Sequence, residues 1–391
     1  MKISLIQPGR NNLKYLKWSY DSIRKNQGNH EVQICVADDA STDGTWDWCL
    51  KMIDKDPHFN AIKNDTGKRL GHTILYDRLV NEVAKHDVCM IYHADMYLCP
   101  RALDAIEEYL TDKTIVSLTR IEPPLHPDGP EKLLMNFGVE PEEFNEEGLL
   151  EYVKKLPMTK TTEGIFAPWA FYKKDFQEIG GHDPLYAPQS KEDSDIFNRF
   201  QLNGIKFIQT WEGCVYHMTC RGSRRNTVDK AKNIYEDSPE WLAQNMRSTR
   251  NFIRKWGHFV KHDALMKPII PPKYDIGFIL PNNDINLLHA LEPWCSNIYC
   301  DNNLRQHYIT TEQSNTIFNL SERVLPYNNE KNNEILVTIN EGFNQQDFQY
   351  IQQLSEILAD SGEPGFHGEL GNITVEIFEK MNTYENELIK L

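Results

Sequence analysis

Short apolar runs alternate with helical hydrophobic patterns along the first hundred residues of the chain. The apolar runs lie at 3–6, 32–36, 61–62 and 88–92, and the helical patterns that follow them lie at 15–23, 46–53, 74–83 and 102–110. This alternation predicts an α/β fold with a mainly parallel sheet and helices on both of its faces. Because ligands bind at the carboxyl ends of such strands, the loops after residues 6, 36 and 92 are expected to carry the chemistry.

The length of the chain predicts a second domain. The 391 residues amount to about two and a half typical domains, and a proline-dense segment at 266–273 cannot continue a helix. We therefore predict an N-terminal domain of residues 1–265 and a smaller C-terminal accessory α/β domain of residues 272–391. In the second domain, apolar runs at 276–280, 297–299 and 335–339 alternate with helical patterns at 285–291 and 348–358.

The acidic residues are concentrated in the C-terminal part. The chain has 42 Lys and Arg residues against 57 Asp and Glu residues, a net charge of −15, and from Lys261 onward there are 8 basic and 19 acidic residues. Bulk DNA and anionic membranes repel a chain with this charge. Nucleic acid and membrane surfaces are therefore disfavoured as partners.

Several other classes of protein are disfavoured. No stretch approaches the roughly 18 consecutive apolar residues that cross a bilayer, so no transmembrane segment is expected. The N-terminus lacks an apolar segment followed by a cleavage site, which argues against secretion. The eight cysteines include no Cys-x-x-Cys pair, so their spacing suits neither a zinc ribbon nor a disulfide framework. Reduced thiols in a cytoplasmic protein are the simplest interpretation.

Two adjacent carboxylates, Asp38 and Asp39, follow the second apolar run. Carboxylates at a strand end accept hydrogen bonds from a ribose hydroxyl or a base N–H. The next residues, Thr42-Asp43-Gly44-Thr45, supply turn and helix-capping chemistry. A turn followed by a helix cap is therefore the competing interpretation, and the residues alone favour neither.

The loop after the fourth apolar run contains His93-Ala94-Asp95. An acidic residue directly after a buried strand can hold a divalent cation through its hard oxygen ligands, and the cation can neutralise a diphosphate. Asp95 is the candidate metal ligand. The competing interpretation is an ordinary loop that leads into a helix, and taken alone the segment favours it.

Three further groups of residues lie between 180 and 218. The first is Gly180-Gly181-His182-Asp183, the second is Glu192-Asp193, and the third is His217 at the end of an apolar run. Clustered carboxylates can provide a general base, although many solvated helices begin with the same residue types. A neutral histidine can ligate a metal, but a lone histidine in an apolar run is more often a packed core residue.

In this order the motifs resemble those of the inverting family-two glycosyltransferases of GT-A fold. The opening segment 6–12 and the Asp-Asp-Ala-Ser-Thr-Asp-Gly-Thr element at 38–45 contribute, together with the motifs at 93–95, 180–183 and 192–193. The resemblance covers about residues 1–225, and the element at 38–45 is its most specific part. It implies a Rossmann-like, mainly parallel nucleotide-diphospho-sugar transferase fold.

The resemblance also implies donor-binding positions. Pro8 and Arg10 would line the nucleotide pocket, and the carboxylates at the end of the second strand would contact the base. The implied donor-binding residues are Pro8, Arg10, Asp38, Asp39, Lys68, Arg69, His93 and Ala94. His93-Ala94-Asp95 stands in place of the family's Asp-x-Asp element, with the first carboxylate replaced by His93.

The metal and the acceptor side are implied in the same way. Asp95 and His217 would hold Mn²⁺ or Mg²⁺, and Asp193 matches the catalytic base. The implied acceptor-side residues are Gly181, His182 and Glu192.

The leading hypothesis is a soluble, metal-dependent enzyme that moves one sugar, with inversion, from a nucleoside diphosphate donor to an acceptor hydroxyl. The donor is predicted to be a UDP-sugar and the acceptor a carbohydrate or glycan. The family's membrane-bound processive members have Gln-x-x-Arg-Trp where this chain has Gln-Asn-Met-Arg-Ser at 244–248, so a processive synthase is disfavoured. The C-terminal domain is expected to recognise the acceptor or mediate assembly, and a homo-oligomer is one option.

Three alternatives stay open. Nucleotidyl transfer uses similar acidic metal loops, but the chain lacks the glycine-rich phosphate loop of such enzymes. The replacement at His93 would suit a nucleotide-sugar-binding module without catalysis, although Glu192-Asp193 and His217 are retained. Nucleic acid as the acceptor ranks low, and it rests on a basic run of Arg221, Arg224, Arg225, Lys230 and Lys232.

Overall fold

A computed structural model of the protein describes residues 1–156, 159–219 and 237–384. The chain packs into two compact units. Of the described residues, the first unit contains those within Met1–Gln244 and His262–Pro268, and the second contains Asn245–Lys261 and 269–384. Whether the predicted domains 1–265 and 272–391 fold independently stays a prediction.

The first unit alternates strands and helices from its first residues. Its strands are β1 (Lys2–Gly9), β2 (Glu31–Asp38), β3 (Phe59–Lys63), β4 (Val88–Ile91), β5 (Met96–Leu98), β6 (Thr114–Glu122), β7 (Lys132–Leu134), β8 (Thr161–Thr162), β9 (Trp169–Tyr172) and β10 (Lys206–His217). Its helices are α1 (Leu13–Asn26), α2 (Thr45–Lys55), α3 (His72–Arg78), α4 (Ala102–Tyr109), α5 (Glu146–Val153), α6 (Lys173–Glu178) and α7 (Glu192–Leu202). A π-helical turn, Leu79–Val83, continues α3.

The strands of the first unit form a mixed, mainly parallel sheet in the order β3-β2-β1-β4-β9-β6-β10-β5, with β7 beside β6 and β8 beside β10. The strands β3, β2, β1 and β4 are parallel neighbours, as are β6 and β10, whereas β9 runs antiparallel to both β4 and β6. The predicted α/β fold class with a mainly parallel sheet is confirmed.

Helices cover both faces of this sheet because successive strand side chains point to opposite faces. In β2, Val32, Ile34 and Val36 pack with α1, α2 and α4 on one face. Cys35 and Ala37 pack on the other face with α3, α6 and α7. Two apolar layers therefore hold the strands in place and bring the strand ends, where the polar motifs lie, to one edge.

The second unit is built on a smaller sheet. Its strands are β11 (Ile276–Ile279), β12 (Asn297–Cys300), β13 (Val324–Pro326), β14 (Ile335–Ile339), β15 (His367–Leu370) and β16 (Ile373–Ile377), in the order β13-β12-β11-β14-β16-β15. Its helices are most of α8 (Pro239–Trp256) and all of α9 (Ile285–Leu291), α10 (Asn302–Glu312), α11 (Leu320–Arg323), α12 (Gln345–Gln352) and α13 (Leu354–Ser361).

The helical pattern predicted over 348–358 is confirmed, with one interruption. The chain forms two helices there because Gln353, between α12 and α13, leaves helical geometry with φ −109° and ψ 5°. Among the described residues, no helix combines the length and the apolar character that crossing a membrane requires.

Candidate active site

Three loops with polar motifs meet at the carboxyl edge of the first sheet. The strands β2, β1 and β4 are parallel neighbours, with Gly9 opposite Asp38 and Ile6 opposite Ile91. The loops that follow these strands therefore lie side by side, as the alternation of strands and helices predicts.

A group of three metal-ligating side chains lies at this edge. The ligand atoms of His93, Asp95 and His217 all lie within 4.8 Å of one another. His217 reaches the loop because β10 runs antiparallel to β5, with His217 opposite Met96. The structure thus brings together the two predicted metal ligands, Asp95 and His217, and it adds His93 as a third donor.

Each of the three side chains shifts the pKa of at least one neighbour in this group. Burial raises the pKa of Asp95, but the His217 imidazolium outweighs that effect and lowers it to about 2. Burial lowers the pKa of His217, but Asp95 and Glu122 on either side raise it to about 9. Burial and the His217 charge together lower the pKa of His93 to about 3, so its ring is neutral and keeps a lone pair for a metal.

Glu122, at the end of β6, is a residue that sequence reasoning missed. Its Oε1 lies 2.7 Å from Nδ1 of His217. Burial opposes its ionisation, but His217, Arg120 and Lys132 hold the pKa of Glu122 far below its ordinary value. The sequence does contain a signal for Glu122, because an acidic residue at the end of an apolar run is the pattern that also indicated Asp95.

Asp39 is buried and organises the loop that follows β3. Its Oδ1 accepts hydrogen bonds from Asn64 Nδ2 (2.7 Å) and the Leu70 N–H (2.9 Å), and its Oδ2 accepts from the Gly71 N–H (2.9 Å). These bonds tie the loop that carries Lys68 and Arg69 to the end of β2. The contact of Asp39 with a base stays a prediction.

The neighbouring carboxylates differ in what they contact. Asp38 is fully buried, and its Oδ1 accepts from the Ser41 N–H at 3.1 Å. Asp43 accepts from the N–H groups of Thr45 (3.2 Å) and Leu13 (2.9 Å). For Asp43 the capping interpretation therefore accounts for the residue, because it joins the starts of α2 and α1.

The remaining predicted donor-binding residues border the same edge. Pro8 and Ala94 are buried, whereas the side chains of Arg10 and Lys68 are exposed. The side chain of Arg69 reaches the segment before α7, where its Nη2 donates to Gln189 Oε1 at 2.5 Å. Burial lowers the pKa of Arg69, with Asp39 and Glu192 acting in the opposite direction.

Glu192 and Asp193 begin α7 after two residues in left-handed backbone conformation. Ser190 and Lys191 have φ values of 82° and 73°, a conformation that costs an L-residue about 1–2 kcal/mol. Burial raises the pKa of Asp193, and burial together with the Asp193 charge raises the pKa of Glu192. The pair is therefore harder to ionise than two isolated carboxyl groups.

Asp195 has a different environment. It is completely buried, and its Oδ2 lies 2.8 Å from Arg199 Nε one helical turn later. The Tyr186 hydroxyl donates to its Oδ1 at 3.3 Å. Asp195 is therefore an internal ion-pair partner, whereas Asp193 is only half-buried at the start of the helix.

His182 is held rigidly on the predicted acceptor side. Its Nδ1 lies 2.8 Å from Asp77 Oδ1, and its ring stacks on Tyr76 with the centroids 5.4 Å apart. Gly181 precedes it with φ +70°, and a Cβ there would lie 2.3 Å from Asp77 Oδ2. A glycine is therefore needed for Asp77 to contact His182.

A substitution at Gly71 tests whether the loop after β3 supports the site. A Cβ on Gly71 would lie 2.0 Å from the Pro188 carbonyl oxygen, whereas a Cβ on Gly67 would meet nothing within 4 Å, and both residues have positive φ. We expect Gly67→Ala to cost about 1–2 kcal/mol of unfolding free energy, because an L-residue there must adopt a left-handed conformation. Gly71→Ala should lower the melting temperature further and weaken nucleotide binding, as measured by thermal unfolding and calorimetry. Equal effects of the two variants would contradict this role.

The predicted basic run at 221–232 and Cys220 lie outside the described residues.

Comparison with known proteins agrees with this geometry. Residues 4–180 match the family model described as glycosyl transferase family 2. A search of curated proteins gives no match. The family match covers residues 4–180, less than half of the 391 residues, and it places a glycosyl transferase family 2 domain in the first unit.

Solved structures of three proteins are among those similar to the chain. The mannosyltransferase PcManGT from Pyrobaculum calidifontis, in complex with GDP-Man and Mn²⁺, has 15% identity and a TM-score of 0.45 over 68% of this chain and 67% of that one. TarS 1–349 from S. aureus has 15% identity and a TM-score of 0.40 over 65% and 66%. GalNAc-T7 with UDP, GalNAc and Mn²⁺ has 13% identity and a TM-score of 0.46 over 65% and 48%.

Proposed function

We propose that the protein is a metal-dependent, inverting glycosyltransferase that moves one sugar from a nucleoside diphosphate donor to the hydroxyl of a carbohydrate acceptor. The observation that carries the proposal is the cluster of His93, Asp95 and His217, whose ligand atoms lie within 4.8 Å of one another at the carboxyl edge of the family 2 sheet. Asp193, the candidate base, supports it from the start of α7.

The donor side would be organised by three side chains and a cation. Asp95, His93 and His217 supply one carboxylate and two imidazoles, which suit a divalent ion such as Mn²⁺. When bound, the ion would neutralise the charge that develops on the departing diphosphate. The buried carboxylate of Asp39 would hold the loop of Lys68 and Arg69 in place against the nucleotide.

The acceptor side would be organised by Asp193. Its carboxylate would take the proton of the acceptor hydroxyl as that oxygen forms a bond to the anomeric carbon. The bond from the anomeric carbon to the diphosphate breaks on the opposite face, so the configuration inverts. The charge of Asp193 raises the pKa of Glu192, so a proton held on Glu192 would leave Asp193 as the ionised member of the pair.

The donor is proposed to be a UDP-sugar, and the test is a panel of UDP- and GDP-sugars with Mn²⁺. Specific binding raises the stability of the folded state, by about 2.7 kcal/mol at a ligand concentration of 100 times Kd. We expect one donor class to raise the melting temperature, and we expect that donor to be turned over, with the sugar identified on a carbohydrate product. Failure of every nucleotide sugar to stabilise the protein would contradict the proposal.

The two imidazole groups lead to a specific prediction about which divalent ion binds more tightly. Imidazole ligands favour Mn²⁺ over Mg²⁺, which prefers oxygen ligands. We expect the wild-type protein to bind Mn²⁺ more tightly than Mg²⁺, and we expect His93→Asp to reduce this preference about tenfold. Isothermal titration of each ion into each protein measures the ratio. An unchanged ratio would exclude His93 from the ligand set.

A further inference from the structure

The structure contains an ion-pair cluster behind the candidate metal ligands. Strand β6 lies between β7 and β10, and Ile121 of β6 is opposite Tyr216 of β10. The next residues along these two strands are Glu122 and His217, and Glu122 Oε1 lies 2.7 Å from His217 Nδ1. Because both strands are buried in the sheet, the contact is set by strand register.

The carboxylate of Glu122 is compensated by two cations. Arg120 Nε lies 3.0 Å from its Oε1, and Lys132 Nζ lies 3.5 Å from its Oε2. Glu131 Oε1 lies 3.3 Å from each of the same two cations. Two carboxylates and two cations balance one another, so the cluster can accept a hydrogen bond from a neutral His217 without leaving a charge uncompensated.

The contact between Glu122 and His217 determines which ring nitrogen of His217 faces the other candidate ligands. A neutral imidazole has one N–H and one lone pair, and a carboxylate that accepts from Nδ1–H leaves the lone pair on Nε2. Nε2 of His217 lies 3.4 Å from Asp95 Oδ1. When His217 loses its second proton to bind a cation, the nitrogen on the side of the candidate metal ligands is therefore the one that provides the lone pair.

We propose that Glu122 is a positioning residue that fixes His217 as the Nδ1–H tautomer and thereby orients Nε2 toward a cation shared with His93 and Asp95. The proposal rests on the metal dependence proposed above. A purely structural role, in which Glu122 only compensates Arg120 and Lys132, is the competing explanation. Glu131 distinguishes the two explanations, because it pairs with the same cations, whereas in the described part of the chain the carboxylate at Nδ1 of His217 is that of Glu122.

The experiment measures the binding of Mn²⁺ alone to the full-length chain, by titration calorimetry and by the electron paramagnetic resonance signal of free Mn²⁺. We expect Glu122→Gln to weaken Mn²⁺ binding about 10- to 100-fold, which is the usual effect of losing a carboxylate partner of a ligating histidine. Glu131→Gln removes a carboxylate from the same cluster, and we expect less than about a threefold change. Circular dichroism and melting temperature establish that both variants are folded.

Equal weakening in the two variants, or no weakening in Glu122→Gln, would overturn the positioning role. If Glu122→Gln does not fold, nitrogen-15 NMR of the wild-type histidines with a diamagnetic ion, Zn²⁺, decides the question. We expect the proton of His217 on Nδ1, and a proton on Nε2 would overturn the proposal. If the wild-type chain binds no Mn²⁺, the proposed metal dependence fails together with this inference, whereas normal wild-type binding with an unaffected Glu122→Gln refutes this inference alone.

Discussion

Asp193→Asn is expected to lower kcat about a hundredfold to ten-thousandfold while leaving the affinity for the nucleotide unchanged. The variant preserves the shape of the side chain but removes the base, and loss of a general base has an effect of this size. The measurement is kcat with the stabilising donor, with the Kd for the nucleotide as the control. Because burial raises the pKa of Asp193, wild-type activity should fall as the pH drops through that raised pKa, and the residual activity of the variant should lack this dependence.

Variants of the two nearby carboxylates, Glu192 and Asp195, distinguish the general base from the residues around it. Glu192→Gln resembles the protonated Glu192, so it should lower kcat less than tenfold. Asp195→Asn leaves the buried Arg199 without its charge partner, which typically costs about 3–5 kcal/mol of stability, so its main effect should be a lower melting temperature. Near-normal turnover in Asp193→Asn with loss of turnover in folded Asp195→Asn would transfer the role to Asp195.

Asp95→Ala is expected to abolish the metal requirement together with activity. Asp95 supplies the carboxylate in the group of three candidate ligands, and loss of metal stabilisation of the leaving group would reduce turnover by about a thousandfold, or roughly 4 kcal/mol. Calorimetry of UDP binding with and without Mn²⁺ and chelator measures the coupling. In the wild-type protein the chelator should weaken UDP binding, and in Asp95→Ala it should have no effect.

The control is Asp112→Ala, which removes an exposed aspartate that pairs with Lys174 on the surface. It should retain wild-type metal dependence. Wild-type UDP affinity that is unchanged by chelation would remove the metal from the mechanism.

The sequence was sufficient to predict the architecture of the first unit. The 2.0 and 3.6 periodicities of apolar residues are local signals, and their alternation predicts parallel strands whose polar ends share one edge. Asp39 and Asp95 each follow an apolar run, so a single local rule predicted that they lie at this edge, whereas His217 was assigned to the metal only through the family resemblance. The second unit was predicted less well, since Gln353 interrupts a pattern that reads as one helix.

Tertiary structure decided which of these polar residues act together. Glu122 lies 95 positions before His217 in the chain, and only the pairing of β6 with β10 brings their side chains into contact. Likewise, Asp43 and Asp195 lie close in the chain to Asp39 and Asp193 but have different partners. Asp43 is occupied by helix N–H groups and Asp195 by Arg199. Composition and periodicity determine where a residue falls along an element, whereas strand register and side-chain packing determine which partner it meets, because those contacts join residues far apart in the chain.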